Sequence, residues 1–179
     1  MQVLQRIRSV IDKVLEVVLT VIMGTMVLAV LWQVISRFIL RDPSSYTEEL
    51  VRFLLIWLAL LGASYAVSKR LHLAIDYFTL KFKGRQKIYS GLFIDLCIFL
   101  FALFVMTIGG LNLVTLTFTL NQVSAALGIK MGYVYLVLPL TGILILFYAS
   151  LQFAERLQTL KDLNEAAPSE EPTTTASLD

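Results

Sequence analysis

The stretch Trp32–Arg52, WQVISRFILRDPSSYTEELVR, separates two long apolar runs, and the rest of the chain is arranged around it. The twenty residues Val17–Ser36 carry no charge, and the sixteen residues Phe53–Ser68 carry none either. A helix needs ~20 mostly apolar residues to cross a hydrocarbon core of ~30 Å. We therefore predict that this stretch, called the hinge below, is the loop between two membrane-spanning helices.

The hinge contains signals for ending one helix and starting the next. Pro43 ends the first helix, because proline lacks an amide hydrogen and disfavours helical backbone in the preceding residue. Ser45 followed by Glu48 matches a capping box and predicts that the second helix starts just after Ser45. Glu48 and Glu49 then lie in the first turn, where the helix dipole favours negative charge, and Glu48 is four residues before Arg52. Two interpretations stay open: these charges only begin and flank the helix, or they form a docking surface for another polypeptide.

Composition places the chain among membrane proteins. It has 179 residues, 58% of them hydrophobic and 16% charged, with a mean hydropathy of +0.78. One cysteine, Cys97, excludes an internal disulfide and a CxxC site, and one histidine, His72, excludes a two-histidine metal site. No nucleotide-binding glycine loop, HExxH motif or nucleophile elbow is present. We predict no metal, no cofactor, no nucleic-acid partner and no enzymatic activity.

The predicted fold is an all-α integral membrane protein with four transmembrane helices and interfacial amphipathic helices. Apolar runs place the four helices at about 14–38, 46–68, 88–120 and 131–154. An amphipathic lead-in precedes the first helix, and an interfacial helix is predicted at about 71–83. The membrane domain covers residues 1–161, and the polar segment 162–179 is predicted to be a disordered cytoplasmic tail.

The third and fourth helices contain residues that interrupt regular helix. A helix from Ile88 to Leu120 would be ~50 Å long, so it must tilt, protrude or break, and Gly109-Gly110 is the expected bend. Pro139 is expected to kink the fourth helix, which membrane helices tolerate.

The distribution of positive charge predicts the orientation. Eleven Lys and Arg residues lie on the side that holds both termini and the second connection, and four lie on the hinge side. Positive charge concentrates on the cytoplasmic side, so both termini are predicted to be cytoplasmic. The basic residues of the second connection are expected to reach lipid headgroups: Lys69, Arg70, Lys81, Lys83, Arg85 and Lys87.

Two carboxylates, Glu16 and Asp95, fall within apolar helices, and such residues are functional candidates by default. In the structural interpretation, the charge of Glu16 is balanced at the interface near Lys13, and the carboxylate of Asp95 reaches toward Lys87 or water. The alternative is a self-contained small proton-coupled membrane transporter that uses Glu16 or Asp95. Neither two broken helices in corresponding halves nor an internal repeat, the usual pointers to a midplane substrate site, is found.

Several motifs resemble those of one family: WQVISRF at 32–38, Pro43, EEL at 48–50, Arg52, Trp57, LGAS at 61–64 and HLAID at 72–76. Together they resemble the small (Q-type) membrane subunit of tripartite ATP-independent periplasmic (TRAP) transporters. The resemblance covers about residues 30–80. The second half is similar only in having two more membrane helices.

The resemblance implies a role in sodium-driven uptake of organic acids, often C4-dicarboxylates or sialic acid, across the bacterial inner membrane. In this family a soluble periplasmic protein captures substrate, and the small subunit binds a large multi-span subunit that transports it. The implied partners are therefore the large subunit, transiently the periplasmic substrate-binding protein, and membrane lipids. The family takes no substrate or sodium ligand from the small subunit. The residues at the motif positions, implied to serve the partner interface or the fold, are Trp32, Arg37, Glu48, Glu49, Arg52, Trp57, His72 and Asp76.

Overall fold

A computed structural model describes residues 2–41, 44–69 and 85–166, and nearly all of them are helical. Four helices are long and apolar enough to cross a membrane, which confirms the predicted all-α fold with four transmembrane helices. The first span is the helix Gln2–Ile35 followed by the π-helical segment Ser36–Leu40, and the second is Ser45–Ser68. The third span joins Arg85–Phe101, the π-helical segment Ala102–Gly109 and Gly110–Thr119. The fourth is composed of Met131–Tyr135 and Val137–Ala166.

Two helices are longer than the apolar runs that predicted them. The first helix begins at Gln2 and includes the amphipathic lead-in, because no glycine or proline separates the lead-in from the span. The fourth continues to Ala166, past its predicted end at 154 and into the predicted tail, because residues 155–166 are mostly strong helix formers. The predicted interfacial helix at 71–83 and the tail residues 167–179 lie outside the described residues.

The start of the second span differs from the capping-box prediction. The helix begins at Ser45 itself, with Ser44 as its N-cap, and no side chain caps it. Thr47 donates its hydroxyl hydrogen to the Ser44 carbonyl at 3.0 Å instead.

The irregular points of the third and fourth spans face each other. The predicted bend at Gly109-Gly110 coincides with the end of the π-helical segment, where a side chain on Gly110 would meet Pro139 at 3.1 Å. Pro139 has no amide hydrogen for the carbonyl of residue 135, and the helix Met131–Tyr135 ends there. Gly142 likewise lets the spans approach, because a side chain there would lie 2.6 Å from the Thr107 hydroxyl. Close backbone approach is a main source of helix association in lipid.

The spans pack in the order first, second, fourth, third. The fourth span is central: 44% of its most apolar 18-residue stretch is buried, compared with 11% of the corresponding stretch in the first span. The buried core contains Leu15, Leu61, Val67, Ala102, Met106, Val137, Ile145 and Tyr148. This arrangement brings polar residues from different spans together at both ends of the molecule.

Candidate functional site

At the end that holds residue 8, called the N-terminal end, three spans meet at the carboxylate of Asp12. Asp12 is 9% exposed. Its Oδ1 accepts hydrogen bonds from the Ser68 hydroxyl at 2.6 Å and from the Tyr148 hydroxyl at 2.8 Å. Its Oδ2 accepts from Lys69 Nζ at 3.1 Å, and this bond raises the pKa of Lys69. One carboxylate therefore connects the first, second and fourth spans, and we call these four residues the Asp12 cluster.

Backbone carbonyls at the end of the second span are also bound. The Arg8 guanidinium donates to the Ser68 carbonyl and lies 3.9 Å from Glu155. Gln152 Nε2 donates to the Val67 carbonyl at 2.7 Å, and Gln152 is 3% exposed. The last carbonyls of a helix have no partner within it, so the first and fourth spans supply donors for them.

An ion pair joins the third and fourth spans at the same end. Arg156 Nε lies 2.7 Å from Asp95 Oδ2, and the Asp95 side chain is 3% exposed. The guanidinium lies over Gly91, where even a methyl group would overlap it. The expected partners of Asp95, Lys87 or water, did not include this arginine on the fourth span.

At the opposite end, called the hinge end, Glu49 binds the connection between the third and fourth spans. Its Oε2 accepts hydrogen bonds from the backbone amides of Ala126 and Leu127, both at 2.8 Å. The loop is shaped for this contact by Gly128, whose φ of +67° places it in the left-handed region. Glu49 thus connects the first turn of the second span to a loop that is distant in sequence.

Trp57 makes a second contact between the second and fourth spans. Its indole Nε1 donates to the Val134 carbonyl at 3.2 Å. Nearby, the rings of Phe118 and Tyr133 pack edge to face with centroids 5.3 Å apart, and Gly132 leaves room for the Phe118 ring. Trp57 therefore has a contact within the chain that accounts for its position.

The other hinge residues predicted from the motifs lie at the surface. Trp32 is 50% exposed. Glu48 and Arg52 form an exposed ion pair with an N–O distance of 3.4 Å. Arg37 lines a polar cavity with Glu48. The structure thus divides the predicted set into residues bound inside the chain, Glu49 and Trp57, and residues that face outward.

The remaining predicted residues lie mostly in the second connection, much of which is outside the described part of the chain. His72, Asp76, Arg70, Lys81 and Lys83 lie outside the described residues, and the side chains of Arg85 and Lys87 are likewise outside them. Lys69, predicted to reach lipid headgroups, pairs with Asp12, and its side chain is 43% exposed. Glu16 is exposed on the first span, and its expected pairing with Lys13 is not among the ion pairs of the described residues.

Sequence reasoning missed most of the polar contacts between spans. Asp12 lies in the amphipathic lead-in, where a charged residue is expected at the membrane surface, and the sequence motifs include none of Tyr148, Gln152 and Arg156. A signal was available, because Tyr148 and Gln152 are polar and four residues apart in an otherwise apolar span. Polar side chains in that setting commonly bond across helices.

A loss of order in the 124–130 loop is expected when Glu49 is replaced by glutamine. The neutral amide is a weaker acceptor for the amides of Ala126 and Leu127 than the carboxylate. Their hydrogen exchange, measured by mass spectrometry on peptides covering the loop, should accelerate by roughly tenfold. The matched control is Glu48→Gln, which removes the same charge one residue away and whose side chain pairs with the exposed Arg52 and not with the 124–130 loop. Equal exchange in both variants would show that Glu49 does not hold the loop.

The fold and these contacts define a multi-pass membrane protein whose spans are tied by polar side chains near both ends. The profile of one family, described as "Tripartite ATP-independent periplasmic transporters, DctQ component", matches residues 26–159. Because that match covers most of the chain, this protein belongs to the DctQ family of TRAP transporter components.

Curated relatives agree with this assignment. The chain is 25% identical over 149 residues to the sialic acid TRAP transporter small permease protein SiaQ of Vibrio cholerae, covering 80% of this chain and 82% of that protein. It is 29% identical over 132 residues to the sialic acid TRAP transporter permease protein SiaT of Haemophilus influenzae, covering 69% of this chain and 20% of that protein. It is also 30% identical over 96 residues to the isethionate TRAP transporter permease protein DctMQ of Oleidesulfovibrio alaskensis, covering 54% of this chain and 15% of that protein. The chain is therefore a component of a membrane transporter.

Proposed function

We propose that this chain is the accessory membrane subunit of a sodium-coupled TRAP transporter that imports organic acids. It binds and stabilises the large transporting subunit in the bacterial inner membrane, with both termini in the cytoplasm. The observation that carries the proposal is the match to SiaT. A region similar to this chain makes up only a fifth of that permease, so in that relative the similar unit and a much larger remainder share one polypeptide.

The contacts of three carboxylates support an accessory role. Asp12 binds two other spans, Asp95 pairs with Arg156, and Glu49 binds two loop amides. Charged groups inside membrane helices mark substrate or proton pathways when they face a bundle interior or a water-filled cavity. These three groups are engaged by the same chain, which favours a scaffold over a self-contained proton-coupled transporter that uses Asp95.

The proposed substrate is an organic acid of the sialic acid or C4-dicarboxylate type. Two of the relatives are named for sialic acid and one for isethionate, and all of these substrates are organic anions. The hinge, through the exposed Arg52, is proposed to touch the periplasmic substrate-binding protein. Exposed charges at such contacts act mainly on the rate of association.

Co-purification and reconstitution together test this function. The tagged chain, expressed with the proposed large permease subunit, should retain that permease in detergent. Proteoliposomes with both subunits and the binding protein should take up labelled sialic acid or succinate when a sodium gradient is applied. Arg52→Glu should lower uptake at low binding-protein concentration and leave it unchanged at saturation, whereas Lys161→Glu should change neither. Sodium-driven uptake by this chain alone, or failure to retain the permease, would refute the accessory role.

A further inference from the structure

A polar cavity of about 460 Å³ lies at the hinge end, between the end of the first span and the start of the second. Its lining includes Gln33, Arg37, Ser44 and Glu48. Its volume falls within the ~300–1,000 Å³ typical of small-molecule sites. The cavity is thus large enough for a compact polar group, and it is separate from the contacts that tie the spans together.

Two donors on the first-span wall of this cavity have no partner. Gln33 Nε2 is buried and makes no hydrogen bond, although an unpaired buried amide is costly. Arg37 makes no hydrogen bond or ion pair within the part of the chain that the structure describes. Its guanidinium carries five N–H donors and favours phosphate and carboxylate groups. This wall therefore suits a ligand with anionic oxygen atoms.

The second-span wall has the opposite charge. Glu48 contacts Arg52 only through a long, exposed ion pair at 3.4 Å, so its carboxylate retains free acceptor positions. The Ser44 hydroxyl lies on the same wall. A ligand that fills the cavity would therefore carry an anionic group at one end and a hydrogen-bonding cation at the other.

The surroundings place the cavity at the level of lipid headgroups. Trp32 precedes the lining residue Gln33 in the chain, and Tyr46 lies between the lining residues Ser44 and Glu48. These aromatic residues are 50% and 63% exposed, and such side chains concentrate at the membrane–water interface. Phe38 and Ile39, beside Arg37, are 74% and 73% exposed. An occupant at this site would have its polar group in the cavity and apolar chains against these side chains. The π-helical segment Ser36–Leu40 lies here as well, and such segments often occur at functional sites.

We propose that this cavity binds the headgroup of a zwitterionic phospholipid with a primary amine, of the phosphatidylethanolamine type. Arg37 and Gln33 donate to the phosphate, and Glu48 accepts hydrogen bonds from the ammonium. A quaternary ammonium has no hydrogen to donate to Glu48, and an anionic glycerol headgroup has no cation. The site therefore selects the amine-bearing lipid over phosphatidylcholine and phosphatidylglycerol.

Native mass spectrometry of the purified full chain tests the proposal. The protein in detergent is titrated with phosphatidylethanolamine, phosphatidylcholine, phosphatidylglycerol and soluble glycerophosphoethanolamine. The bound fraction should be highest for phosphatidylethanolamine. Arg37→Gln should lower its apparent affinity roughly tenfold, as expected for losing a charge-assisted hydrogen bond. Glu48→Gln should abolish the preference over phosphatidylglycerol, because only the ammonium contact is lost.

The matched control is Lys130→Gln, which removes an exposed positive charge at the same end without lining the cavity; its lipid binding should equal that of the wild type. Circular dichroism of each variant verifies that the helices form. Equal binding of the three lipids, or unchanged binding in both Arg37→Gln and Glu48→Gln, would overturn the proposal. Saturation by glycerophosphoethanolamine at lipid-like concentration would also overturn it, by showing that the ligand is a soluble zwitterion.

Discussion

Asp95→Ala is expected to lower the free energy of unfolding by about 3–5 kcal/mol, the typical cost of removing one partner from a buried ion pair. The change leaves the Arg156 guanidinium, which lies 2.7 Å from Asp95 in the wild type, without its counter-charge between the third and fourth spans. Arg156→Ala should be similarly harmful, because it leaves a carboxylate that is only 3% exposed. The measurement is unfolding by SDS in mixed micelles, followed by circular dichroism.

A double substitution distinguishes a structural pair from a proton-binding carboxylate. Replacing a buried ion pair with apolar residues is often neutral or stabilising, so Asp95→Leu with Arg156→Met should be more stable than either single alanine variant. Gly91→Val provides an independent check, because it forces the guanidinium away while keeping both charges. If the double variant assembles with the large subunit and supports uptake, Asp95 is not a transport residue. If it is stable and assembled but inactive, the proton-coupled alternative regains support.

Asp12→Ala is expected to have the second-largest effect, a loss of about 3 kcal/mol. The variant removes the shared acceptor of the Ser68 and Tyr148 hydroxyls, and hydrogen bonds to a charged group contribute ~1.5–3 kcal/mol each. For a chain of this size, the apparent Tm should fall by about 6–12 °C. The measurement is thermal unfolding in detergent, followed by tryptophan fluorescence.

The control for Asp12 is Glu16→Ala, which removes the same charge one turn later on the same helix. Glu16 is exposed, so its replacement should change the Tm little. Tyr148→Phe should cost less than Asp12→Ala, since it removes only one of the hydrogen bonds. Equal Tm values for Asp12→Ala and Glu16→Ala would show that the Asp12 cluster does not hold the spans together.

The membrane fold follows from local sequence. Uncharged runs such as Val17–Ser36 are as long as a bilayer is thick, and every backbone group in such a run must be bonded within its own segment, so each run forms a helix. Pro139 and Gly109-Gly110 likewise marked real irregularities, because the absence of an amide hydrogen or a side chain acts on the residue's own turn. The helices extend beyond the apolar runs, to Gln2 and to Ala166, because apolar content marks only the membrane-spanning part of a helix.

The roles of individual polar residues depended on tertiary structure. Glu48 and Glu49 have the same local sequence context and cannot be distinguished by hydropathy. In the structure, however, Glu48 forms an exposed ion pair, whereas Glu49 binds the amides of a loop more than seventy residues away. Asp12 belongs to an amphipathic segment, and its sequence context does not reveal that the second and fourth spans pack against it. Sequence alone determined that this chain crosses a membrane with four helices, because burial in lipid depends on the composition of each segment. The order of the spans, and therefore the partner of each charge, was decided only by the packing, because it depends on contacts between segments that are far apart in the chain.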